Sequence, residues 1–172
     1  MIKNPSWDEY FMRHVYLVAT KSKDFRTKIG AVLVLDKRII SEGYNGICRC
    51  VLDDISHVSE RYERPEKYFW QEHAERNSFY NCSYNGITTN GSILYTNGIP
   101  CSECARAVIQ CGVKEVIVHK QWQEFEQKFY WEKFIESAKR SKIMFDEADI
   151  KIRVFNMFLG VSGMLDGNEI SV

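Results

Sequence analysis

Ser92-Ile93-Leu94-Tyr95-Thr96-Asn97, then the stretch from Cys101 to Cys111, then Glu115-Val116-Ile117-Val118-His119 read as strand, helix, strand, and this alternation decides the architecture of the chain. Pro100 suits the start of that helix, and Gly112, just after Cys111, suits its end. Outward from this unit the pattern continues. A helix is predicted over 73–83 before it, and a helix from about Gln123 to Lys139 and a strand over Ile150 to Phe155 after it. Upstream, Pro5-Ser6-Trp7-Asp8-Glu9 reads as a capping box with Ser6 as N-cap, opening an amphipathic helix to about Lys21. Ile29 to Leu35, the tight connection Asp36-Lys37 and Arg38 to Glu42 read as an antiparallel hairpin. The class is α/β: a central sheet whose later strands are parallel, with helices on both faces. The long segment from Gly43 to Gln71 has no regular pattern, and loops of that length are functional or disordered. At 172 residues and 45% hydrophobic, the chain is expected to form a single domain, with its core over about 6–155 and a C-terminal tail over 156–172.

His73-Ala74-Glu75, followed by Pro100-Cys101-Ser102-Glu103-Cys104, carries the chemistry. A His and two Cys are three metal ligands, and a structural zinc site is closed by four, whereas a hydrolytic one keeps the fourth position for water. Two thiolates and a neutral imidazole leave the metal enough charge to acidify that water. Glu75 is the carboxylate left over, placed to ferry protons. Cys101 and Cys104 are one turn apart on one helix face, and His73 and Glu75 open another helix, whose N-terminus favours anions. A lone Cys-x-x-Cys would also fit a redox pair, half a zinc ribbon or two core thiols, but these account for only half of the pattern.

Lys plus Arg and Asp plus Glu both total 23, so no global basic field exists to hold a polyanion. Large nucleic acids and membranes are not expected as partners. The run Lys139-Arg140-Ser141-Lys142 reads as a solvated helix face. Six cysteines without a secretory leader or a bilayer-length apolar run predict a reduced, cytoplasmic setting, with Cys82 and Cys111 as core residues. Trp122, Phe125, Phe129, Trp131 and Phe134 offer more apolar surface than one helix face needs and suggest a subunit interface, hence a homo-oligomer.

The His-x-Glu and Pro-Cys-x-x-Cys motifs, with Ser22-Lys23-Asp24, Lys28 to Val32, Ile39 to Gly46, Tyr95 and Cys104 to Val118, resemble the cytidine and deoxycytidylate deaminases, most closely the deoxycytidylate (dCMP) branch. The resemblance covers most of residues 10 to 120. It implies a three-layer α/β/α fold around a five-stranded mixed sheet, one catalytic zinc, and hydrolysis of dCMP to dUMP and ammonia in the supply of dTMP precursors. It also implies that Asn45 contacts the sugar and that backbone groups at Ala74 and Ile99 read the cytosine edge. Arg26 and Lys28 are candidates for the 5′-phosphate, and Tyr44 and Tyr95 for stacking on the pyrimidine. Regulated relatives bind dCTP and dTTP near the loop that here holds Gly43 and Gly46, although Ile47-Cys48 stands without the proline that many of them carry. Some viral relatives bind a second zinc, for which Cys48, Cys50 and His57 are the candidates, with a fourth ligand missing.

A tRNA adenosine deaminase shares both motifs but passes quickly from its sugar-contacting Asn to the zinc His, whereas here a long segment separates Asn45 from His73. Other cytosine nucleosides and nucleotides remain alternative substrates. A non-catalytic zinc module would have no use for Glu75.

Overall fold

The computed structural model describes residues 4–129 and 132–172. Helix α1 (Trp7–Ala19) starts at Ser6, whose Oγ accepts a hydrogen bond from the Glu9 amide at 3.1 Å. Strands β1 (Gly30–Leu35) and β2 (Arg38–Tyr44) are joined by Asp36 and Lys37, with φ of 49° and 61°. Two successive positive φ angles give a turn whose twist matches an antiparallel hairpin. There follow β3 (Gly46–Ile47), α2 (Lys67–Trp70), β4 (Gln71–Glu72), α3 (Ala74–Tyr84), β5 (Ile93–Thr96), α4 (Ser102–Gln110) and β6 (Glu115–His119). The chain continues through α5 (Lys120–Phe129), α6 (Glu132–Glu147), β7 (Lys151–Phe155), β8 (Ser162–Leu165) and β9 (Asn168–Ser171).

Five strands form the central sheet in the order β2-β1-β5-β6-β7. β1 runs antiparallel to both β2 and β5, while β5, β6 and β7 are parallel. The alternation of side chains along β1 separates two cores. Val32 and Val34 face Met12 and Val15 of α1, Trp122 of α5 and Leu165 of β8. Ala31 and Leu33 face Phe79 of α3, Val108 of α4 and Phe145 of α6. The result is a three-layer α/β/α arrangement around a mixed five-stranded sheet. Among the described residues no helix is long and apolar enough to cross a membrane.

The helical structure predicted from about Gln123 to Lys139 is present on both sides of residues 130–131, which lie outside the described ones, and runs from Lys120 to Glu147. Two elements depart from the sequence expectations. The apparently irregular 43–71 segment is pinned at its ends, because β3 pairs with β4 through Gly46 and Glu72, and it is anchored inside by Tyr62, 1% exposed, and Lys67, 7% exposed. Residues after Phe155 form the β8–β9 hairpin, turned by Asp166 and Gly167 at φ 48° and 80°. That Asp-Gly dipeptide is a hairpin signal present in the sequence.

Candidate active site

The N-termini of α3 and α4 meet beside the sheet, and His73 and Cys101 are their N-cap residues, both extended, at φ, ψ of −78°, 152° and −64°, 167°. This puts Glu75 and Cys104 in the first helical turns, where backbone amides and the helix dipole favour negative charge. His73 Nδ1 lies 3.5 Å from Cys101 Sγ and 3.4 Å from Cys104 Sγ. A tetrahedral zinc, with bonds of about 2.3 Å to sulfur and about 2.0 Å to nitrogen, holds such atoms about 3.5 Å apart. The donor set therefore fits zinc in both chemistry and spacing, and it is the one group of potential metal ligands among the described residues. The Cys101 thiol is pushed down to about 3 by its hydrogen bond with Cys104, against burial and with help from His73.

Glu75 is 6% exposed, and its Oε2 accepts from Cys104 Sγ at 3.6 Å. Burial pushes its carboxyl up, with His73 pulling the other way. A carboxyl beside the ligands is placed for proton transfer. Arg76, which the sequence reading passes over, donates to Cys104 Sγ at 3.6 Å. It is held by Glu72, which accepts from its Nε at 2.6 Å, and by Glu103 at 3.2 Å. The signal for it was the Glu72 to Arg76 spacing of one helical turn.

The ligands open into a cavity of about 330 Å³, within the roughly 300–1,000 Å³ usual for small-molecule sites. Ala74, Ile99 and Asn45, the residues the resemblance offers for substrate contact, line it. Asn45 is also a structural clamp. Its Oδ1 accepts from the Ile29 amide and its Nδ2 donates to the Thr27 carbonyl, both at 2.8 Å. The β3–β4 ladder is what brings Asn45 and His73 together across the intervening segment.

Other candidates lie elsewhere. Arg26 and Lys28 do not line the cavity. The β8–β9 hairpin covers their segment, since the Lys28 amide donates to the Met164 carbonyl and the Gly167 amide to the Arg26 carbonyl. The cations that do line it are Arg64, Lys67, Lys139 and Lys142. Two of these belong to the run read as a solvated face. Tyr95 is 3% exposed in the α1-side core and donates to Asp8 at 2.7 Å, and Tyr44 points to solvent at 41% exposure, so neither lines the cavity. Gly43 is required for packing, because a Cβ there would meet the Ala74 carbonyl oxygen at 2.2 Å. Gly46 opens β3, and both glycines lie outside the cavity. Cys48 and Cys50 are exposed and His57 pairs with Asp54 at 3.2 Å, so the three do not converge as metal ligands. Of the aromatic residues offered as an interface, Trp122 is fully buried, Phe125 packs on the α1-side core and Phe134 lines the cavity. Trp131 and the Phe129 side chain fall outside the described residues.

Residues 5–120 match the cytidine and deoxycytidylate deaminase zinc-binding region. The chain is 37% identical over 119 residues to a probable deoxycytidylate deaminase of Drosophila melanogaster, covering 64% of this chain and 58% of that protein. It is 33% identical over 154 residues to the deoxycytidylate deaminase of Homo sapiens, covering 87% and 79%. The chain thus spans little more than half of the Drosophila protein. In fold it is similar to the dCMP deaminase of cyanophage S-TIM5, solved with dCMP and dUMP, at a TM-score of 0.63 and 20% identity over 91% of this chain and all of that one.

Proposed function

The chain belongs to the cytidine and deoxycytidylate deaminase family, and we propose that it hydrolyses dCMP to dUMP with release of ammonia. The observation that carries this is the buried Glu75 beside a His-Cys-Cys ligand set, in a cavity whose exposed lining includes lysines. Zinc held by His73, Cys101 and Cys104 supplies, when bound, the Lewis acidity that lets a water lose its proton near neutral pH. Glu75 is placed to take a proton from the attacking water and give it to ring nitrogen N3 as the water oxygen bonds C4, then to carry the second water proton to the 4-amino group as the C4–N bond breaks, so that dCMP and water become dUMP and ammonia. The backbone at Ala74 and Ile99 reads the cytosine edge, and Asn45, fixed by its two backbone bonds, presents its remaining N–H to the sugar.

The phosphate falls to Lys139 and Lys142 at the mouth, with Lys142 unpartnered among the described residues and Lys139 held only by Glu136. Lys67 is already committed to Asp24. Six free cysteines favour a reduced, cytoplasmic setting, and exposed Phe69, Tyr80 and Tyr84 favour a homo-oligomer. Effectors such as dCTP or dTTP near Gly43 and Gly46 would act outside the substrate cavity.

Ammonia release from dCMP, deoxycytidine and a tRNA anticodon stem-loop tests the proposal. A charge-assisted phosphate contact is worth about 1.5–3 kcal/mol, so dCMP should exceed deoxycytidine about ten- to a hundredfold in kcat/KM, and Lys142→Glu should shrink that ratio. Equal kcat/KM for the two, or inosine formed in the stem-loop, would overturn the dCMP assignment.

A further inference from the structure

Four carboxylate residues line the cavity: Asp24, Glu72, Glu75 and Glu126. Asp24 is paired with Lys67 and Glu72 with Arg76, and Glu75 stands at the ligands. Glu126, on α5, forms no ion pair with any described residue. Its Oε1 accepts from Trp122 Nε1 at 2.7 Å, and that indole is fully buried. Its Oε2 has no hydrogen-bond partner among the described residues. Gly98, three residues before Cys101, makes room for it, since a Cβ there would lie 2.2 Å from Oε1 and 2.9 Å from Oε2. A glycine and a buried indole thus hold in the cavity wall a half-buried carboxyl with no ion-pair partner among the described residues. Desolvating such a group costs free energy that an apolar side chain at the same place would not.

We propose that Glu126 is a substrate-contacting residue, its cavity-side oxygen donating a hydrogen bond to an acceptor oxygen of the bound pyrimidine nucleotide, and that it sets affinity rather than moving the reaction's protons. This rests on the functional reading above. Burial pushes the Glu126 carboxyl up to about 8, against the Trp122 hydrogen bond and with the charge of Glu75 adding to the rise. At neutral pH the group is therefore mostly neutral, with Oε1 accepting from Trp122 and Oε2 left to carry the proton. The titratable groups that face it are Glu75 on α3 and Tyr16 on α1, whose own pKa the Glu126 charge raises. Lys139 and Lys142 on α6, Arg64 and Lys67 share the cavity. Above pH 8 Glu126 ionises, loses the donated hydrogen and turns a negative charge toward an anionic nucleotide.

The test measures kcat and KM for dCMP, and equilibrium binding of dUMP, from pH 6.5 to 9.5 on the zinc-loaded chain. In the parent, KM and the dUMP Kd should rise about tenfold across this range. Glu126→Gln should abolish that rise, because an amide keeps a donor at every pH. Glu126→Leu should raise KM and Kd about tenfold at pH 7 with a smaller change in kcat. If Glu126→Leu does not fold, the flattened pH profile of Glu126→Gln decides alone. Unchanged KM and Kd in Glu126→Leu, an alkaline rise that persists in Glu126→Gln, or a loss confined to kcat would overturn the contact. A parent that neither deaminates dCMP nor binds dUMP would instead overturn the functional reading.

Discussion

Glu75 occupies the first turn of α3 with its carboxylate beside the metal ligands, and two opposing effects act on it. The helix N-terminus favours the anion, while burial pushes the carboxyl up. A carboxyl held between these two effects, next to the ligands, is placed to pass protons. Glu75→Gln keeps the shape and the Cys104 neighbour but removes proton transfer, so kcat should fall by at least about 10²–10⁴-fold while zinc content and thermal midpoint stay near the parent's. Activity close to the parent's by ammonia release would show that another group moves the protons. At this scale the sequence was informative where spacing is itself the chemistry, as in His73, Glu75, Cys101 and Cys104. It was uninformative where a side chain's role depends on what covers it. That the backbone of Arg26 and Lys28 bonds to the β8–β9 hairpin has no signal in the sequence, and Glu126 gave none either, because a single acid in an amphipathic helix looks solvated.

Among the elements, the 43–71 segment shows why local order can be invisible in a sequence. Its strands are two residues long and α2 is four, too short for any hydrophobic period to register. What holds it is an ion pair across the chain, Lys67 Nζ to Asp24 Oδ2 at 2.6 Å, with side chains 8% and 1% exposed. Asp24 also accepts from the Arg26 and Thr27 amides at 2.8 and 3.1 Å, so the pair couples α2 to the loop before β1, and both sides line the cavity. Lys67→Met leaves the Asp24 charge buried and unpaired, which should cost about 3–5 kcal/mol in urea unfolding. Replacing both partners, as in Lys67→Met with Asp24→Asn, should recover part of that loss. Equal losses in the single and double variants would mean that the pair is not what anchors the segment.

The whole molecule depends on its chain end more than a tail would suggest. The first hairpin, the parallel later strands and both helical layers follow from the strand and helix pattern of residues 7 to 155, but the α1-facing core is completed by residues beyond it. Leu159, Leu165, Ile170 and Val172 are 3%, 0%, 5% and 0% exposed, packed with Tyr16 and Trp122. The last strand is tied down by reciprocal bonds between Val161 and Val172 at 3.0 and 3.2 Å. The hairpin also bonds to the backbone of Arg26 and Lys28, and Thr27 between them lines the cavity, so the same element closes the core and supports one wall of the site. Leu165→Ala opens a void in a fully buried position and should cost about 2–5 kcal/mol, read as a lower urea midpoint with an unchanged slope. Because the void lies behind the Arg26 to Lys28 segment rather than at the ligands, KM for dCMP should rise more than kcat falls. A truncation after Phe155 removes all four apolar side chains together and should not give a cooperatively folding protein. If that truncated chain unfolded cooperatively at the parent's midpoint, the α1-facing core would be complete without the hairpin, and the support it gives the cavity wall would have to come from elsewhere.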